Sequence, residues 1–565
     1  MKKLINNPRN IVREMLEGQA DLSPGQALLD GEDVIVRADL PAPGARRVAV
    51  ISGGGSGHEP AHAGYVGPGL LTAAVAGNVF TSPSVDAVLA AIRTAAGAAG
   101  VVLIVKNYTG DRLNFGLAAE LAKQEGIPAE VVVVADDVAL QGVVEPQRRR
   151  GIAGTVLIHK VAGAAAEAGR SVTEVAELAR AAAAGLGSMG VALGACTVPI
   201  AGKPGFELGE TEIELGLGIH GEKGVERTAM KPADELVDTI LGAIVRDRGL
   251  KAGEKVALLV NGLGATPPME LAIVARRALA HLREKGIAVA WAQAGDFLTA
   301  LEMPGCSLSV LPLDEERLAL LDAPASAPAW RGSGLVAEKR RVVAAPKPAV
   351  AAAEAVAPGP HAAALKQAAL AVAEAFEAAE AHLTDLDAKA GDGDLGASMV
   401  RGAAAIRALP DTVWATPATA FSAIGDGLRR NIAGSSGPFY ATALLRAAAR
   451  LAGQPQPDAR SWDEAFAAGV ASVSEVGGAK PGDRTMLDAL EPALAAWAAA
   501  RKAGKPAAEA WAAAVAAAEA GATATASMMP KLGRASYLGA RALGAPDGGA
   551  VAITVWMKAL APVIR

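Results

Sequence analysis

Residues 46–58, RRVAVISGGGSGH, join a short apolar run to a cluster of glycines, and they decide the class of fold. The apolar run predicts a buried strand, and the glycines predict a tight turn at its carboxyl end. Similar runs that end in loop residues recur at 101–111 (VVLIVKNYTGD), 129–137 (AEVVVVADD) and 254–264 (EKVALLVNGLG). Because helical stretches lie between several of these runs, we expect mainly parallel sheets with crossover helices.

The loops after these strands are the expected place for a ligand. In such sheets, ligands bind beyond the carboxyl ends of the strands, where GGGSGH, KNYTGD and NGLG all fall. GGGSGH does not match the dinucleotide pattern GxGxxG, because His58 stands where a glycine is required, so a Rossmann dehydrogenase is a poor fit. The sequence also contains no GxxxxGK[ST] motif, which excludes a P-loop ATPase.

The second half of the chain has a different composition. Residues 326–361 are rich in alanine and proline, which predicts a linker between domains. From residue 362 onward, alanine-rich amphipathic segments replace the β-branched runs. We therefore expect an α/β domain over residues 1–325, divided into two subdomains near residue 185, and an all-α domain over residues 362–565.

Charge and cysteine content limit the class of protein. The 565 residues carry a net charge of −5, which gives no basic surface for nucleic acid or for an anionic membrane. The two cysteines, Cys196 and Cys306, form no disulfide framework and favour a reducing compartment. We find neither the apolar core of a signal peptide nor an apolar run long enough to span a membrane. We therefore expect a soluble, cytoplasmic protein.

Three carboxylates, those of Asp387, Asp392 and Asp394, lie within eight residues of the segment LDAKAGDGDLGAS. A divalent cation with oxygen ligands would remove their mutual repulsion, whereas the alternative is a solvated acidic loop. A calcium EF-hand is excluded, because Gly396 stands where that loop needs a ligand. Magnesium leaves coordination sites for phosphate oxygens, so a nucleotide is a natural partner.

Three glycine loops in the same half are candidate phosphate cradles, at 432–440, 480–488 and 544–550. Small residues let backbone N–H groups approach an anion, and a following helix adds its partial positive charge. Each loop taken alone is weak evidence, because glycine loops join helices in many proteins. Together with the three carboxylates they favour a nucleotide site.

His220 lies among glycines in ELGLGIHGEKG, residues 214–224. A lone histidine is more often structural, but these surroundings offer little side chain for packing. His58 and Asp111 are two further polar groups at expected strand ends. The pattern indicates that a ligand approaches the His220 ring.

The longer motifs resemble those of one family. ISGGGSGHEPAHAGYVG, AGNVFTSPS, KNYTGDRLNFG and GLGIHGEKG resemble the substrate-binding K half of dihydroxyacetone kinases. DAKAGDGDLG, GSSGPFYA, AKPGDRTMLDAL and GRASYLGARALGAPDGGA resemble the nucleotide-binding L half. The chain is identified on these motifs as a member of the family in its fused, single-chain form. The resemblance implies an α/β substrate domain followed by an all-α helical-barrel domain.

The resemblance implies ATP-dependent phosphorylation of dihydroxyacetone to its phosphate. His220 would attack the ketone and hold it as a covalent hemiaminal, which an alcohol such as glycerol cannot form. His58 or Asp111 would take the proton of the attacking hydroxyl. The implied substrate-binding residues are Gly55, Ser56, Gly57, His58, Lys106 and Asp111.

The resemblance also implies a nucleotide and metal site. Asp387, Asp392 and Asp394 would hold magnesium, as two ions that bridge the phosphates of ATP. The implied nucleotide-binding residues are Leu395, Gly396, Ala397, Ser398, Ser436, Gly437, Gly477, Met486, Arg534, Asp547, Gly548 and Gly549, with Arg534 as a cation for the transferring charge. The family commonly has Thr or His at position 395 and Pro at position 548, so details of nucleotide affinity differ here.

Several alternatives stay open. The substrate could be erythrulose, glyceraldehyde or another small ketose or aldose, because each could form the adduct. The phosphate donor could be a phosphoprotein, although fusion of the two halves favours free ATP. A non-catalytic carbonyl sensor would be expected to lack the metal carboxylates, and nothing in the sequence predicts a cyclase activity. The resemblance further implies a homodimer in which the helical domains are swapped between subunits.

Overall fold

The computed structural model describes residues 2–346, 358–533 and 535–564. The chain divides into two compact units, Met1–Ala344, here the α/β unit, and Ala345–Arg565, here the helical unit. Each unit has hydrophobic cores of its own, built mainly from valine, leucine, isoleucine and alanine. The expected order of an α/β domain followed by an all-helical domain is confirmed.

The α/β unit contains two six-stranded sheets flanked by helices. Its strands are β1 (Gln26–Leu28), β2 (Val34–Arg37), β3 (Ala49–Ser56), β4 (Ala73–Val79), β5 (Val101–Lys106), β6 (Ala129–Val134), β7 (Gly187–Ala192), β8 (Glu212–Leu215), β9 (Glu226–Ala229), β10 (Lys255–Gly262), β11 (Ala288–Gly295) and β12 (Gly305–Leu313). Its helices are α1 (Ile11–Leu22), α2 (Val85–Ala95), α3 (Thr109–Gln124), α4 (Thr155–Glu167), α5 (Val172–Gly185), α6 (Ala233–Arg248), α7 (Pro268–Glu284) and α8 (Glu315–Asp322).

The first sheet has the strand order β1-β2-β4-β3-β5-β6, and its four strands from β3 to β6 are mutually parallel. All residues of β3 and β5 are buried, because helices cover both faces of the sheet. The chain passes from β3 to β4 on one side and then crosses to β5 on the other. The carboxyl ends of β3 and β5 therefore border the crevice in which such sheets bind ligands.

The second sheet has the order β11-β10-β12-β7-β8-β9, and it corrects the expectation of mainly parallel strands. Within the described residues only β10 and β11 pair in parallel, and the other neighbours are antiparallel. Two of the connections in this sheet are short. Residues 216–225 between β8 and β9 and residues 296–304 between β11 and β12 are too few for a crossover helix, so the chain turns back on itself.

The helical unit is built around buried alanine, leucine and tryptophan side chains. Its helices are α9 (Ala362–Ala378), α10 (Glu380–Ala388), α11 (Leu395–Arg407), α12 (Pro417–Asn431), α13 (Ser436–Arg450), α14 (Ala459–Gly477), α15 (Leu487–Lys502), α16 (Ala507–Ala524), α17 (Ala535–Leu538) and α18 (Gly548–Leu560). Among the helices described in either unit, none combines the length and the low charge that a membrane span requires.

The helices of this unit line a cavity of about 740 Å³ whose wall is mostly apolar. Phe376, Trp414, Trp511 and Trp556 are among the side chains of that wall. The residues that the sequence assigns to nucleotide and magnesium are not among those that line it. An apolar wall offers no partner for a polyphosphate, so a nucleotide site belongs at the helix ends instead.

Part of the alanine- and proline-rich segment packs on the α/β unit. The Ser326 amide donates a hydrogen bond to the Pro68 carbonyl (2.9 Å), and the Trp330 ring stacks on Trp291 with centroids 5.8 Å apart. These contacts belong to the first residues of the predicted linker. Its limits at 326 and 361 stay a prediction, because residues 347–357 lie outside the described part of the chain.

Candidate active site

The predicted substrate residues come from the ends of β3 and β5 and from the connection between β8 and β9. His58 follows β3 after Gly57, Lys106 is the last residue of β5, and Asp111 lies in the first turn of α3. His220 lies in the β8–β9 connection. The first sheet thus supplies three of these polar groups, and the second sheet supplies the histidine ring.

The glycines from Gly53 to Gly55 continue strand β3 instead of forming the predicted turn, and they let the backbone of residues 53–57 approach these groups closely. A Cβ on Gly54, whose φ is +152°, would lie 3.2 Å from Lys106 Nζ and 3.6 Å from Asp111 Oδ2. A Cβ on Gly57, whose φ is +97°, would lie 2.9 Å from the Phe80 ring. Both positions require glycine, because a side chain would be strained and would fill the space beside the polar groups.

Three aromatic rings contact the ring of His220. The His220 ring centroid lies 5.0 Å from His58, 5.0 Å from Phe80 and 4.7 Å from Tyr108, each in an edge-to-face arrangement. His58 and Phe80 stack with their centroids 5.0 Å apart. The contacts fix the plane of the His220 ring, so the glycines of its loop do not leave it mobile.

Glu222 fixes the tautomer of His220. The His220 Nδ1 atom lies 2.8 Å from Glu222 Oε1, and the His220 amide donates to Glu222 Oε2 (2.9 Å). A carboxylate only accepts, so Nδ1 carries the hydrogen and Nε2 keeps a free lone pair. Burial raises the pKa of Glu222, but the hydrogen bonds that it accepts from His220 outweigh burial and lower that pKa to about 2. Glu222 is therefore an anion at neutral pH.

Four buried polar atoms without a partner belong to residues that contact the His220 ring or lie close to Gly54. Within the described residues, the following buried atoms make no hydrogen bond: His58 Nε2, Lys106 Nζ, Asp111 Oδ1 and Tyr108 Oη. Such atoms are rare in folded proteins, because each one costs about 1–3 kcal/mol when it is left unpaired. The rings of His58 and Tyr108 contact His220, and Lys106 and Asp111 lie close to Gly54, so these atoms indicate a small polar ligand that offers both donors and acceptors.

The two buried bases of the site have shifted pKa values. His58 Nδ1 lies 2.7 Å from the Thr299 carbonyl, which only accepts, so His58 Nε2 is a hydrogen-bond acceptor. Burial, together with the charges of Lys106 and His220, lowers the pKa of His58 well below its usual range. Burial also lowers the pKa of Lys106, and the neighbouring Asp111 carboxylate opposes that shift. A neutral imidazole and an amine thus lie beside residues 53–57.

Two of the predicted substrate residues offer only their backbone. The Ser56 side chain is buried, and its hydroxyl donates a hydrogen bond to the Gly77 carbonyl of the neighbouring strand (2.8 Å). The hydroxyl proton is therefore not available to a ligand. A Cβ on Gly55 would lie 2.4 Å from the Thr81 amide nitrogen, which leaves no room for a side chain there. These residues shape the end of β3, and a ligand could meet their amide groups alone.

Glu222, Tyr108 and Phe80 are site residues that the sequence analysis did not identify. Glu222 stands two residues after His220 in the quoted GIHGE segment, so a histidine followed closely by a carboxylate was a usable signal. Tyr108 lies in KNYTGDRLNFG and Phe80 lies in AGNVFTSPS, two motifs in which the sequence analysis assigned no role to these rings. Their ring contacts with His220 are long-range, and no local pattern predicts them.

The three aspartates of the helical unit come together as predicted. One carboxylate oxygen each from Asp387, Asp392 and Asp394 lies within 4.8 Å of the others. Asp387 Oδ2 accepts from the Asp394 amide (2.9 Å) and the Leu395 amide (3.3 Å), which folds the loop around this carboxylate. Three hard oxygen donors with open coordination sites fit Mg²⁺, which is bound by few carboxylates.

Most of the predicted nucleotide residues lie where a helix begins. Leu395 is the first residue of α11, Ser436 of α13 and Gly548 of α18, and Met486 immediately precedes α15. The Asp547 carboxylate caps α18 by accepting from the Ala550 amide (2.8 Å). Helix N-termini present unpaired N–H groups and a partial positive charge, which suit phosphate.

Close approaches join three of these loops. A Cβ on Gly549 would lie 3.8 Å from Met486 Cβ, and a Cβ on Gly548 would lie 2.8 Å from Leu395 Cδ2 and 3.9 Å from the Asp387 amide nitrogen. The loops before α11, α15 and α18 therefore converge beside the aspartates. Gly477 makes a separate approach to Phe439 of α13, where a Cβ would lie 2.8 Å from the ring.

The two departures from the family pattern touch each other. Leu395 is buried in the apolar core and contacts the backbone at Gly548. A side chain at position 548 would collide with it, so a large residue at 395 and a glycine at 548 are compatible as a pair. Gly396, Ala397 and Ser398 continue the first turn of α11, and Arg534 lies outside the described residues.

Two family models match the two halves of the chain. Residues 17–329 match the Dak1 domain model, and residues 389–562 match the DAK2 domain model. Human triokinase/FMN cyclase is 42% identical over 100% of this chain and 99% of its own length. D-erythrulose kinase of Mycolicibacterium smegmatis is 37% identical over 100% of this chain and 99% of its own.

A solved structure extends the similarity to the fold. The crystal structure of the dihydroxyacetone kinase from C. freundii in complex with AMP-PNP and Mg²⁺ is 36% identical. It aligns over 99% of both chains with a TM-score of 0.64. With both domain models in one chain and relatives matched over their whole length, the protein belongs to the dihydroxyacetone kinase family of kinases.

Proposed function

We propose that the protein is an ATP-dependent kinase that converts dihydroxyacetone to its phosphate while the ketone is bound covalently to His220. The single observation that carries the proposal is the His220 ring, fixed by Glu222 with Nε2 free, in contact with His58 and Tyr108, whose buried Nε2 and Oη atoms lack a partner within the described residues. The family membership and the C. freundii complex with AMP-PNP and Mg²⁺ support the choice of phosphate donor.

The chemistry at His220 follows from its tautomer. His220 Nε2 adds to the carbonyl carbon, the C=O π bond opens, and the resulting oxyanion takes up a proton from solvent. The ring becomes cationic as the bond forms, and the Glu222 carboxylate 2.8 Å from Nδ1 stabilises that charge while Nδ1 keeps its proton. Glycerol has no carbonyl carbon for this addition, so a covalent site rejects it.

The neighbouring polar groups orient the hydroxyls of the bound ketone. Lys106 Nζ donates, while His58 Nε2 and Asp111 Oδ1 accept, and each of these atoms needs a partner. One of the two acceptors removes the proton of the hydroxyl that attacks the phosphoryl group, which contributes about 10²–10⁴-fold to the rate. The segment from Gly55 to Gly57 supplies backbone contacts to the same ligand.

In the helical unit, Asp387, Asp392 and Asp394 would hold magnesium, as two ions. Bound there, Mg²⁺ neutralises charge on the phosphates during transfer. The helix starts at Leu395, Ser436 and Gly548 direct N–H groups at phosphate oxygens. The remaining assigned residues, Gly396, Ala397, Ser398, Gly437, Gly477, Met486, Arg534, Asp547 and Gly549, complete the proposed nucleotide site.

The identity of the carbonyl substrate is a second part of the proposal. Dihydroxyacetone is our first choice, and erythrulose or glyceraldehyde is the alternative, because relatives include a triokinase and a D-erythrulose kinase. We also propose the cytoplasm as the site of action and a homodimer with swapped helical domains, as the family resemblance implies. Light scattering of the purified chain tests the dimer.

The experiment that tests the proposed function is ADP formation from ATP and magnesium with four acceptors in parallel. Dihydroxyacetone, D-erythrulose and L-erythrulose should each be compared with glycerol. We expect turnover with dihydroxyacetone and none with glycerol. A preference for an erythrulose would keep the residue roles and change the substrate. Turnover with glycerol would contradict the proposal, and so would the absence of turnover with all three ketones.

Glu222→Gln should lower kcat/KM for the ketone by about 100-fold or more, since loss of an orienting carboxylate costs a serine protease about 10⁴-fold. The glutamine amide can donate to Nδ1, which moves the ring hydrogen to Nε2 and removes the attacking lone pair. Steady-state kinetics with dihydroxyacetone check this, with Glu226→Gln, in the nearby strand β9, as the control. An unchanged kcat/KM in Glu222→Gln would show that this tautomer is not required.

A further inference from the structure

Arg484 is a fully buried arginine in the loop between α14 and α15, with only 1% of its surface exposed. Its Nε donates to the Thr525 carbonyl (3.2 Å), and its Nη2 donates to the carbonyls of Ala542 (2.8 Å) and Ala545 (3.0 Å). These carbonyls follow α16 and precede α18. One side chain therefore ties the loop before α15 to the segment that leads into α18.

The backbone conformation at Arg484 is unfavourable for any residue except glycine, which indicates that the arginine side chain is needed at this position. Its φ is +64°, in the left-handed region that glycine adopts at no cost and other residues adopt rarely. A buried arginine held in this conformation pays about 1–3 kcal/mol for the backbone alone. Such a cost persists where the side chain performs a task that glycine could not.

The loop that carries Arg484 is rigid around Met486. The buried Asp488 carboxylate accepts from the amides of Gly482 and Thr485, the second at 2.8 Å. Met486 lies between these bonded residues and immediately precedes α15. Fixing Arg484 therefore fixes the place of Met486, one of the residues assigned to the nucleotide.

The hydrogen bonds of Arg484 also lead, through Thr525, to Asp547. The Thr525 carbonyl accepts a hydrogen bond from Arg484. The Thr525 hydroxyl oxygen accepts a second hydrogen bond, from the Asp547 amide (2.8 Å). Burial raises the pKa of Asp547, and the hydrogen bond from the Ala550 amide and the charge of Arg484 oppose that shift. Arg484 thus acts on Asp547 through a hydrogen-bonded neighbour and through its charge.

We propose that Arg484 is a positioning residue of the nucleotide site, which holds the Met486 loop and the Asp547–Gly549 loop at a fixed separation. The close approach of Gly549 to Met486 is the contact that this separation maintains. The inference rests on the proposed function, because these two loops are assigned to the nucleotide there. Arg484 itself does not touch the substrate in this role, and its Nη1 has no partner within the described residues.

The test is steady-state kinetics of Arg484→Met and Arg484→Lys in the full-length protein, with ATP and dihydroxyacetone varied separately. We expect the KM for ATP to rise about tenfold or more in Arg484→Met, while the KM for dihydroxyacetone stays within about twofold. Arg484→Lys should show a smaller rise, because an ammonium keeps the charge but not the fork of donors. Arg407→Met, which removes an exposed arginine paired with Glu377, is the control.

The outcomes separate a positioning role from a merely structural one. A structural defect reduces the amount of active protein and hence kcat, but it leaves the KM for ATP unchanged. An Arg484→Met protein with wild-type KM for ATP would overturn the inference, and Arg484→Lys decides in the same way if the methionine variant does not fold. Absence of ATP turnover in the wild type would instead refute the proposed function.

Discussion

His220→Ala should lower kcat/KM for dihydroxyacetone by about 10³-fold or more, because it removes the only proposed nucleophile for the ketone. The rise in KM should account for much of the loss, since the covalent bond also supplies binding. The affinity for ADP should not change, because no nucleotide group is assigned to His220. Kinetics with varied ketone and calorimetry with ADP measure the two effects.

His281→Ala is a matched control for this variant. His281 lies in α7 of the same unit, and its Nδ1 is 2.8 Å from Asp238 Oδ1, the same kind of histidine–carboxylate pair. It has no assigned role in the reaction, so kcat/KM should stay close to the wild-type value. If His220→Ala kept the wild-type KM and still rejected glycerol, the covalent role of His220 would be wrong.

Asp392→Asn should impair phosphoryl transfer and leave the ketone adduct intact, the reverse of the effect of His220→Ala. Asparagine keeps the size of the side chain but removes one of the three charges that would hold magnesium, so we expect kcat to fall about 100-fold or more. The ketone adduct at His220 should form as in the wild type. Turnover measured against magnesium concentration should show a much weaker response to the metal.

Asp385→Asn controls for the loss of a negative charge in this region. Asp385 lies in α10, two residues before Asp387, and it pairs with Lys389 on the surface at 2.7 Å. Its replacement should leave the magnesium dependence unchanged. Magnesium dependence that stayed at the wild-type level in Asp392→Asn would remove that carboxylate from the metal site.

The sequence predicted the parts of the site that depend on local pattern. The apolar runs placed the segments GGGSGH and KNYTGD at strand ends, although Gly53–Gly55 continue strand β3 rather than form a turn, and the dense spacing of three aspartates predicted their convergence. It did not predict the antiparallel second sheet, because period and β-branching are similar in both kinds of sheet. It also missed the rings beside His220, since contacts between distant segments leave no local periodicity, whereas Glu222 lies two residues from His220 and could have been found from the sequence.

The pair of Leu395 and Gly548 shows a limit of comparing residues one at a time. Each looks like an isolated departure from the family pattern, and the structure shows that they are neighbours. A Cβ at Gly548 would lie 2.8 Å from Leu395 Cδ2, so the size of one residue restricts the other. Coupling of this kind is a property of packing, and a single sequence does not reveal it.

The measurement that tests the covalent role of His220 most directly is the ¹³C NMR spectrum of dihydroxyacetone labelled at its carbonyl carbon, bound to the protein. We predict that the wild type converts the trigonal carbonyl signal to that of a tetrahedral carbon attached to nitrogen, and that His220→Ala does not. A bound ketone whose carbonyl carbon stays trigonal in a wild-type protein that turns it over would contradict the covalent mechanism.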